Sequence, residues 1–176
     1  MLMPFSNEPL VGFSDRERAA AYRGALTEVR RRLGAYRRLI IGGREVDTGE
    51  RIVSLNPGRP AEVIGSAAAA GPARIDAAFE AAWEAFPEWA ARSAADRAAV
   101  LVKLAAELRR RKLALCAWET LEASKNWDEA EADVAEAIDY CEYYARQAVE
   151  WERPAPLNPW PGEINQSWLQ PLGAGA

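Results

Sequence analysis

The chain has 176 residues, 49% of them hydrophobic, enough to bury the core of one ordinary domain. A net charge of -4 and a pI near 5.1 leave no excess of Lys and Arg to neutralise phosphates, so nucleic acid is not an expected partner. Histidine is absent, which excludes a Ser/His/Asp triad, a Cys/His pair and an HExxH zinc site, and Cys116 and Cys141 cannot make a structural zinc site by themselves.

No uncharged apolar run reaches bilayer length, and MLMPFSNEP lacks the basic start and apolar core of a signal peptide, so a cytoplasmic chain with no membrane partner is expected. From Ser14 the sequence reads as a helix: Ser14 is the expected N-cap with Glu17 three residues on, and Ala21, Ala25, Val29 and Leu33 form an apolar stripe ended by Gly34. Arg30, Arg31, Arg32, Arg37 and Arg38 make a basic cluster that fits either a solvated helix end or an anion contact. Leu39 to Ile41 and Arg44 to Val46 flank Gly42 and Gly43, which predicts a tight hairpin; neither GxxxxGK[ST] nor GxGxxG surrounds those glycines. Further strands are expected over Arg51 to Leu55 and Glu62 to Ser66.

After Pro72, a good first-turn residue, Ile75, Ala78, Phe79, Ala82, Phe86 and Trp89 predict a core-facing helix. Asp96 opens a long helical region in which Leu101, Leu104, Ala105 and Leu108 face inward. The run Arg109, Arg110, Arg111, Lys112 interrupts that stripe and predicts a break near Arg111, its cations meeting solvent or acids of the next helix. Both cysteines lie on expected helices, read as small buried hydrophobes, and a disulfide is disfavoured in a reducing compartment.

The most informative stretch is Ser124 to Glu152, in which nine acids face two bases. Ala130, Val134, Ile138, Cys141, Ala145 and Ala148 form its apolar stripe, Tyr140, Tyr144 and Trp151 are expected to widen the buried face, and Asp128, Glu129, Glu136 and Asp139 lie opposite. Beyond Glu152, Pro154, Pro156, Pro159 and Pro161 forbid a helix, and a strand is expected over Ile164 to Leu169.

The wording KNWDEAEADVAEAIDYCEYYARQA resembles the N-terminal region of the delta-1-pyrroline-5-carboxylate dehydrogenases, a branch of the aldehyde dehydrogenase superfamily. FSNEP, LIIGGREVDTGERIVSLNP, LRRRK, WPGEINQSW and PLGAGA carry the likeness through nearly the whole chain. The resemblance implies an α+β piece, mostly helical with a small antiparallel sheet, forming the N-terminal part of the α/β aldehyde dehydrogenase fold. Residues 1–152 are then a helical and hairpin segment of the dinucleotide-binding domain, and 153–176 an extended segment of the oligomerisation region. Its implied chemistry is oxidation of L-glutamate γ-semialdehyde to L-glutamate with NAD, through a cysteine thiolate, an oxyanion-binding asparagine and a glutamate base.

The family's PWN, ELGGK-like and GQxC-like motifs have no counterpart here, and LALCAWE and DYCEYY do not resemble the nucleophile's surroundings. No catalytic, cofactor-binding or metal-binding residue is therefore assigned, and the chain alone is expected to be inactive and to bind no NAD. The implied partners are the remainder of the enzyme, sister subunits and, in the complete enzyme, a small-molecule substrate. One residue carries over: Glu136, which the resemblance puts at the edge of the substrate pocket, with Tyr140 and Tyr143 on the same helical face. The plain alternative is a solvated or ion-paired carboxylate. Ser124 departs from the glycine that the family usually has before this lysine. A rival reading of a different class is a free-standing helical module, the product of a truncated gene, that binds a partner protein and catalyses nothing.

Overall fold

The computed structural model describes residues 3–158 and 160–175, so Met1, Leu2, Ala176 and the tail proline Pro159 fall outside the described residues. Helix α1 (Arg16–Arg30) starts one residue later than Ser14 implies, because the Asp15 carboxylate is the cap. It accepts from the Arg18 amide at 2.8 Å, and its charge suits the positive end of the helix dipole. The buried face of α1 is Ala19, Tyr22 and Val29; Ala21 is exposed, and Leu33 lies in the turn beyond the helix. Tyr22 won that contest by size, since turning its ring inward removes more apolar area from water than turning in Ala21.

Gly34, with φ 82°, reverses the chain and donates its amide to the Ile64 carbonyl at 2.9 Å. This starts a mixed sheet of order β1-β5-β4, in which β1 (Ala35–Arg37) runs parallel and β4 (Arg51–Asn56) antiparallel to β5 (Arg59–Ala68). Between them β2 (Leu39–Ile41) and β3 (Arg44–Val46) form the expected hairpin. Gly42 and Gly43, with φ 56° and 74°, supply the two left-handed residues that a two-residue turn of matching twist requires.

Helix α2 (Pro72–Ala91) forms where the stripe predicts, with Pro72 in its first turn, but it buries none of its residues. Trp83 is 51% exposed, and Ile75, Phe79 and Trp89 are exposed beside it. Periodicity identifies the apolar face of a helix and not what covers it, so the expectation of a core-facing α2 fails within these residues.

Helices α3 (Ala94–Arg110) and α4 (Lys112–Glu122) are separated at Arg111, whose φ of -104° and ψ of 8° break the helical register as the basic run predicts. Ala94, Ala98 and Ala105 are the buried residues of α3; Leu101 and Leu108 are half-buried, and Leu104 turns outward. Small residues there let α3 lie close along α5 (Trp127–Trp151), the most extensive helix pairing in the molecule. One core cluster joins Tyr22, Ala105, Cys116, Ala130, Val134 and Ile138; a second joins Val29, Ile64, Ala117 and Leu121, and Leu26 touches both. Cys116 is thus the small buried hydrophobe expected, and Cys141 packs half-buried at the edge of the first cluster.

After α5 the chain runs extended, and β6 (Ala155–Pro156) pairs with β7 (Gln166–Ser167), a ladder shorter than the expected strand over Ile164 to Leu169. The whole is the mostly helical α+β arrangement expected, with β1 adding a parallel strand to the small sheet. Among the described residues, no helix is long and apolar enough to cross a membrane.

Candidate functional site

Helix α5 is fixed at its start by a reciprocal cap. The Asn126 side chain accepts from the Glu129 amide at 2.9 Å, and the Glu129 carboxylate accepts from the Asn126 amide at 3.3 Å. Downstream, one flank of the helix borders a groove of about 730 Å³ whose other wall is the irregular N-terminal segment. Glu136, Tyr140, Tyr143 and Tyr144 line the helical side, and Phe5, Asn7 and Leu10 the opposite side. The expected grouping of Glu136, Tyr140 and Tyr143 on one face therefore appears as one side of a groove.

Tyr140 and Tyr144, expected to widen the buried face, are 53% and 46% exposed, and Trp151 is exposed as well. They lie at the margin of the stripe, where a ring reaches past the helix edge instead of under it. Tyr140 and Tyr144 stack with centroids 5.9 Å apart and an interplanar angle of 12°, and the edge of Phe5 meets Tyr143 at 5.5 Å. The groove's carboxylates are Glu8, Asp133, Glu136 and Asp139; Arg109 and Lys112 pair with Glu8 and Lys125 with Asp133, which leaves Glu136 and Asp139 without an ion pair among the described residues. A concavity of aromatic faces and anions attracts organic cations, especially an ammonium group that one carboxylate can fix. Glu136 is exposed within it.

A second carboxylate on α5 is the one the sequence conceals. Glu131 is 2% exposed, and its oxygens accept from the amides of Val11 and Gly12 at 3.3 and 2.9 Å. Arg18 bonds to the same carboxylate, and Lys112 stands 3.5 Å from it. Burial pushes this carboxyl upward, but the two amides and the two cations outweigh it and hold the group below the ordinary carboxylate range. Trp127, Val134 and Ile138 flank Glu131 at helical spacing, so an acid at a core-facing position was the available signal.

The basic run meets acids, as one of its two readings holds. Arg109 bridges Glu8 and Glu142, each at 2.7 Å, and Lys112 reaches Glu8 at 3.5 Å. Hydrogen bonds from Arg146 and Arg109 depress the Glu142 carboxyl. In the first cluster, Arg30 pairs with Glu62, Arg31 and Arg32 with Glu28, and Arg38 with Glu45, so chain carboxylates occupy these cations.

Both thiols are held in the neutral form more firmly than a free cysteine. Burial pushes Cys116 up to about 11, and burial, with Glu142 adding to it, raises Cys141. Gly42 and Gly43 are used in the hairpin turn, and β5 enters α2 through Ala69, Ala70 and Gly71 without a second glycine. Pro72 moreover removes an amide from the turn that would face a pyrophosphate.

Over 175 residues the chain is 43% identical to the 1-pyrroline-5-carboxylate dehydrogenase of Oceanobacillus iheyensis, a match covering 99% of this chain and 34% of that protein. It is also 43% identical to 1-pyrroline-5-carboxylate dehydrogenase 2 of Bacillus subtilis, with 98% and 34% coverage. The crystal structure of the Thermus 1-pyrroline-5-carboxylate dehydrogenase with bound NAD superposes with a TM-score of 0.89 at 50% identity, over 95% of this chain and 33% of that one. The NAD-bound Mycobacterium tuberculosis Delta-pyrroline-5-carboxylate dehydrogenase gives 0.78 at 30% identity, over 90% and 30%. The chain thus spans about a third of the length of these relatives. The aldehyde dehydrogenase family model matches residues 44–176, from the hairpin's second strand through α5 and the tail, and the chain belongs to the aldehyde dehydrogenase family.

Proposed function

We propose that this chain supplies the N-terminal third of an NAD-dependent 1-pyrroline-5-carboxylate dehydrogenase, acting in the cytoplasm, and that its groove on α5 takes part in recognising L-glutamate γ-semialdehyde. The observation that carries the reading is Glu136, exposed in a groove with aromatic sides and without an ion pair among the described residues, whereas Glu8 and Asp133 in the same groove are already paired with cations. The semialdehyde carries an α-ammonium group, which a carboxylate with aromatic neighbours holds well. Simple aldehydes lack it. In this reading Glu136 binds the ammonium group and Tyr140 and Tyr143 flank it, which leaves the aldehyde end free to point away from α5.

The chemical step belongs to other parts of the enzyme. A thiolate must add to the aldehyde carbon before hydride leaves it, and Cys116 and Cys141 are too buried and too weakly ionised for that task. The nucleophile, the base and the nicotinamide site are therefore assigned to the two thirds of the relatives' length that this chain does not span. The β6–β7 hairpin, with Trp160, Ile164 and Trp168 exposed, is assigned to contacts with that remainder or with sister subunits.

The test is Glu136→Gln in the complete enzyme, which keeps shape and hydrogen bonding and removes the charge. The semialdehyde should lose about tenfold in kcat/KM, roughly the contribution of one charge-assisted hydrogen bond, with the melting temperature nearly unchanged. An equal loss with a simple aliphatic aldehyde would contradict an ammonium contact.

A further inference from the structure

The wall of the groove that faces α5 belongs to no regular element, yet it is tied down along its length. The Arg146 guanidinium donates to the Met3 carbonyl at 2.7 Å, and Lys112 donates to that of Pro9 at 3.1 Å. Glu131 holds the amides of Val11 and Gly12, as described above. The middle of the strap is held from two sides: Arg109 and Lys112 pair with the Glu8 carboxylate, and Asp139 takes the rest, one oxygen accepting from the Asn7 amide side chain at 2.8 Å and the other from the Glu8 backbone amide at 2.7 Å.

Asp139 lies one turn along the helix from Glu136, and both border the groove. Both of its oxygens already accept hydrogen bonds from the strap. A direct contact between Asp139 and a ligand would have to compete with these two bonds. The position of the strap in turn sets Phe5 against Tyr143 and puts Asn7 and Leu10 across from Glu136.

We propose that Asp139 is a positioning residue and that the segment from Met3 to Phe13 is a specificity-determining wall, which Asp139 clasps to α5 and which fixes the width of the groove opposite Glu136. This deepens the function proposed above and rests on it for the identity of the ligand. The clasp itself rests only on the hydrogen bonds. Loosening the strap widens the groove, so the enzyme should hold its substrate less well while chemistry elsewhere proceeds at its usual rate.

The experiment has two arms. In the 176-residue chain, Asp139→Ala should speed amide exchange at Glu8 by at least about tenfold while the amide of Ile138 on α5 keeps its protection. Unchanged exchange at Glu8 overturns the clasp. In the complete enzyme, Asp139→Ala and Asn7→Ala should each raise KM for the semialdehyde by about threefold or more with kcat nearly constant, and the double variant should be no worse than Asp139→Ala alone. Additive losses, or a fall in kcat with KM unchanged, overturn the positioning role. If Glu136→Gln leaves semialdehyde use intact while Asp139 and Asn7 remain coupled, the ammonium reading fails and the strap stands. If Glu136→Gln raises KM and the pair is additive, the strap fails and the ammonium reading stands.

Discussion

Glu131 joins stability to acidity. It is nearly inaccessible to solvent, it binds two backbone amides of the strap, and its charge is matched by Arg18 and Lys112. Replacing it with glutamine leaves Arg18 without its anion and Lys112 with Glu8 alone, and should destabilise the protein by about 3 kcal/mol at neutral pH, the low end for breaking a buried pair because Lys112 keeps a second partner and both cations keep some contact with water. The carboxyl is more acidic folded than unfolded, so its stabilisation is complete above the unfolded value, about 4.3, and is lost as pH falls through the lower folded value. Denaturant unfolding of Glu131→Gln beside the parent should therefore show a gap that is widest at neutral pH and narrows below about pH 4. A gap independent of pH would mean that the charge of Glu131 contributes nothing. This residue was hidden in the sequence because EAEAD reads as a solvated acidic face. Only its register with Trp127, Val134 and Ile138 points inward, and register alone does not say that amides and cations wait there.

Between elements, the joint from α4 to α5 turns on Ser124, the non-glycine residue with positive φ among those described, at 56°. That conformation brings a side chain's Cβ close to the following carbonyl oxygen and costs about 1–2 kcal/mol for a residue other than glycine, part of which glycine returns through its looser unfolded chain. Ser124→Gly should accordingly stabilise the chain by about 0.5–1 kcal/mol, read as a higher melting temperature with unchanged circular dichroism. A drop in melting temperature would show that the Ser124 hydroxyl makes contacts that outweigh its strain. Local signals such as this one were legible: the paired glycines specify the β2–β3 turn through their own φ angles, and the basic run breaks the helix at Arg111. The start of α1 was displaced by one residue because Ser14 and Asp15 are both good caps and the charged one prevailed. What remained illegible was pairing at a distance. Nothing in the periodicity of α2 says that its aromatic face stays largely exposed within these residues, met at Trp83 only by the tail at Gly173, and nothing in FSNEP says that it folds back onto Asp139.

At the scale of the whole molecule, the chain has two small cores in its helical body and large apolar surfaces outside them, on α2 and on the β6–β7 tail. Exposed apolar surfaces mark interaction sites, and the function proposed above assigns those of the tail to the remainder of the enzyme or to sister subunits. The candidate site was legible as far as Glu136 and its tyrosines, through helical spacing and through resemblance. Its other wall comes from residues more than a hundred positions away and became visible only in the fold. The central claim, a substrate-recognising third of an aldehyde dehydrogenase whose chemistry lies in the remainder, is tested most directly by the absorbance of reduced nicotinamide. The purified 176-residue chain is mixed with NAD and L-glutamate γ-semialdehyde, alone and with a second polypeptide carrying the rest of the relatives' length. No turnover is expected from either polypeptide alone, and turnover is expected when the two are combined. Turnover by this chain alone that disappears in Cys141→Ser is the opposite result, because a half-buried, weakly ionised thiol would then be the nucleophile.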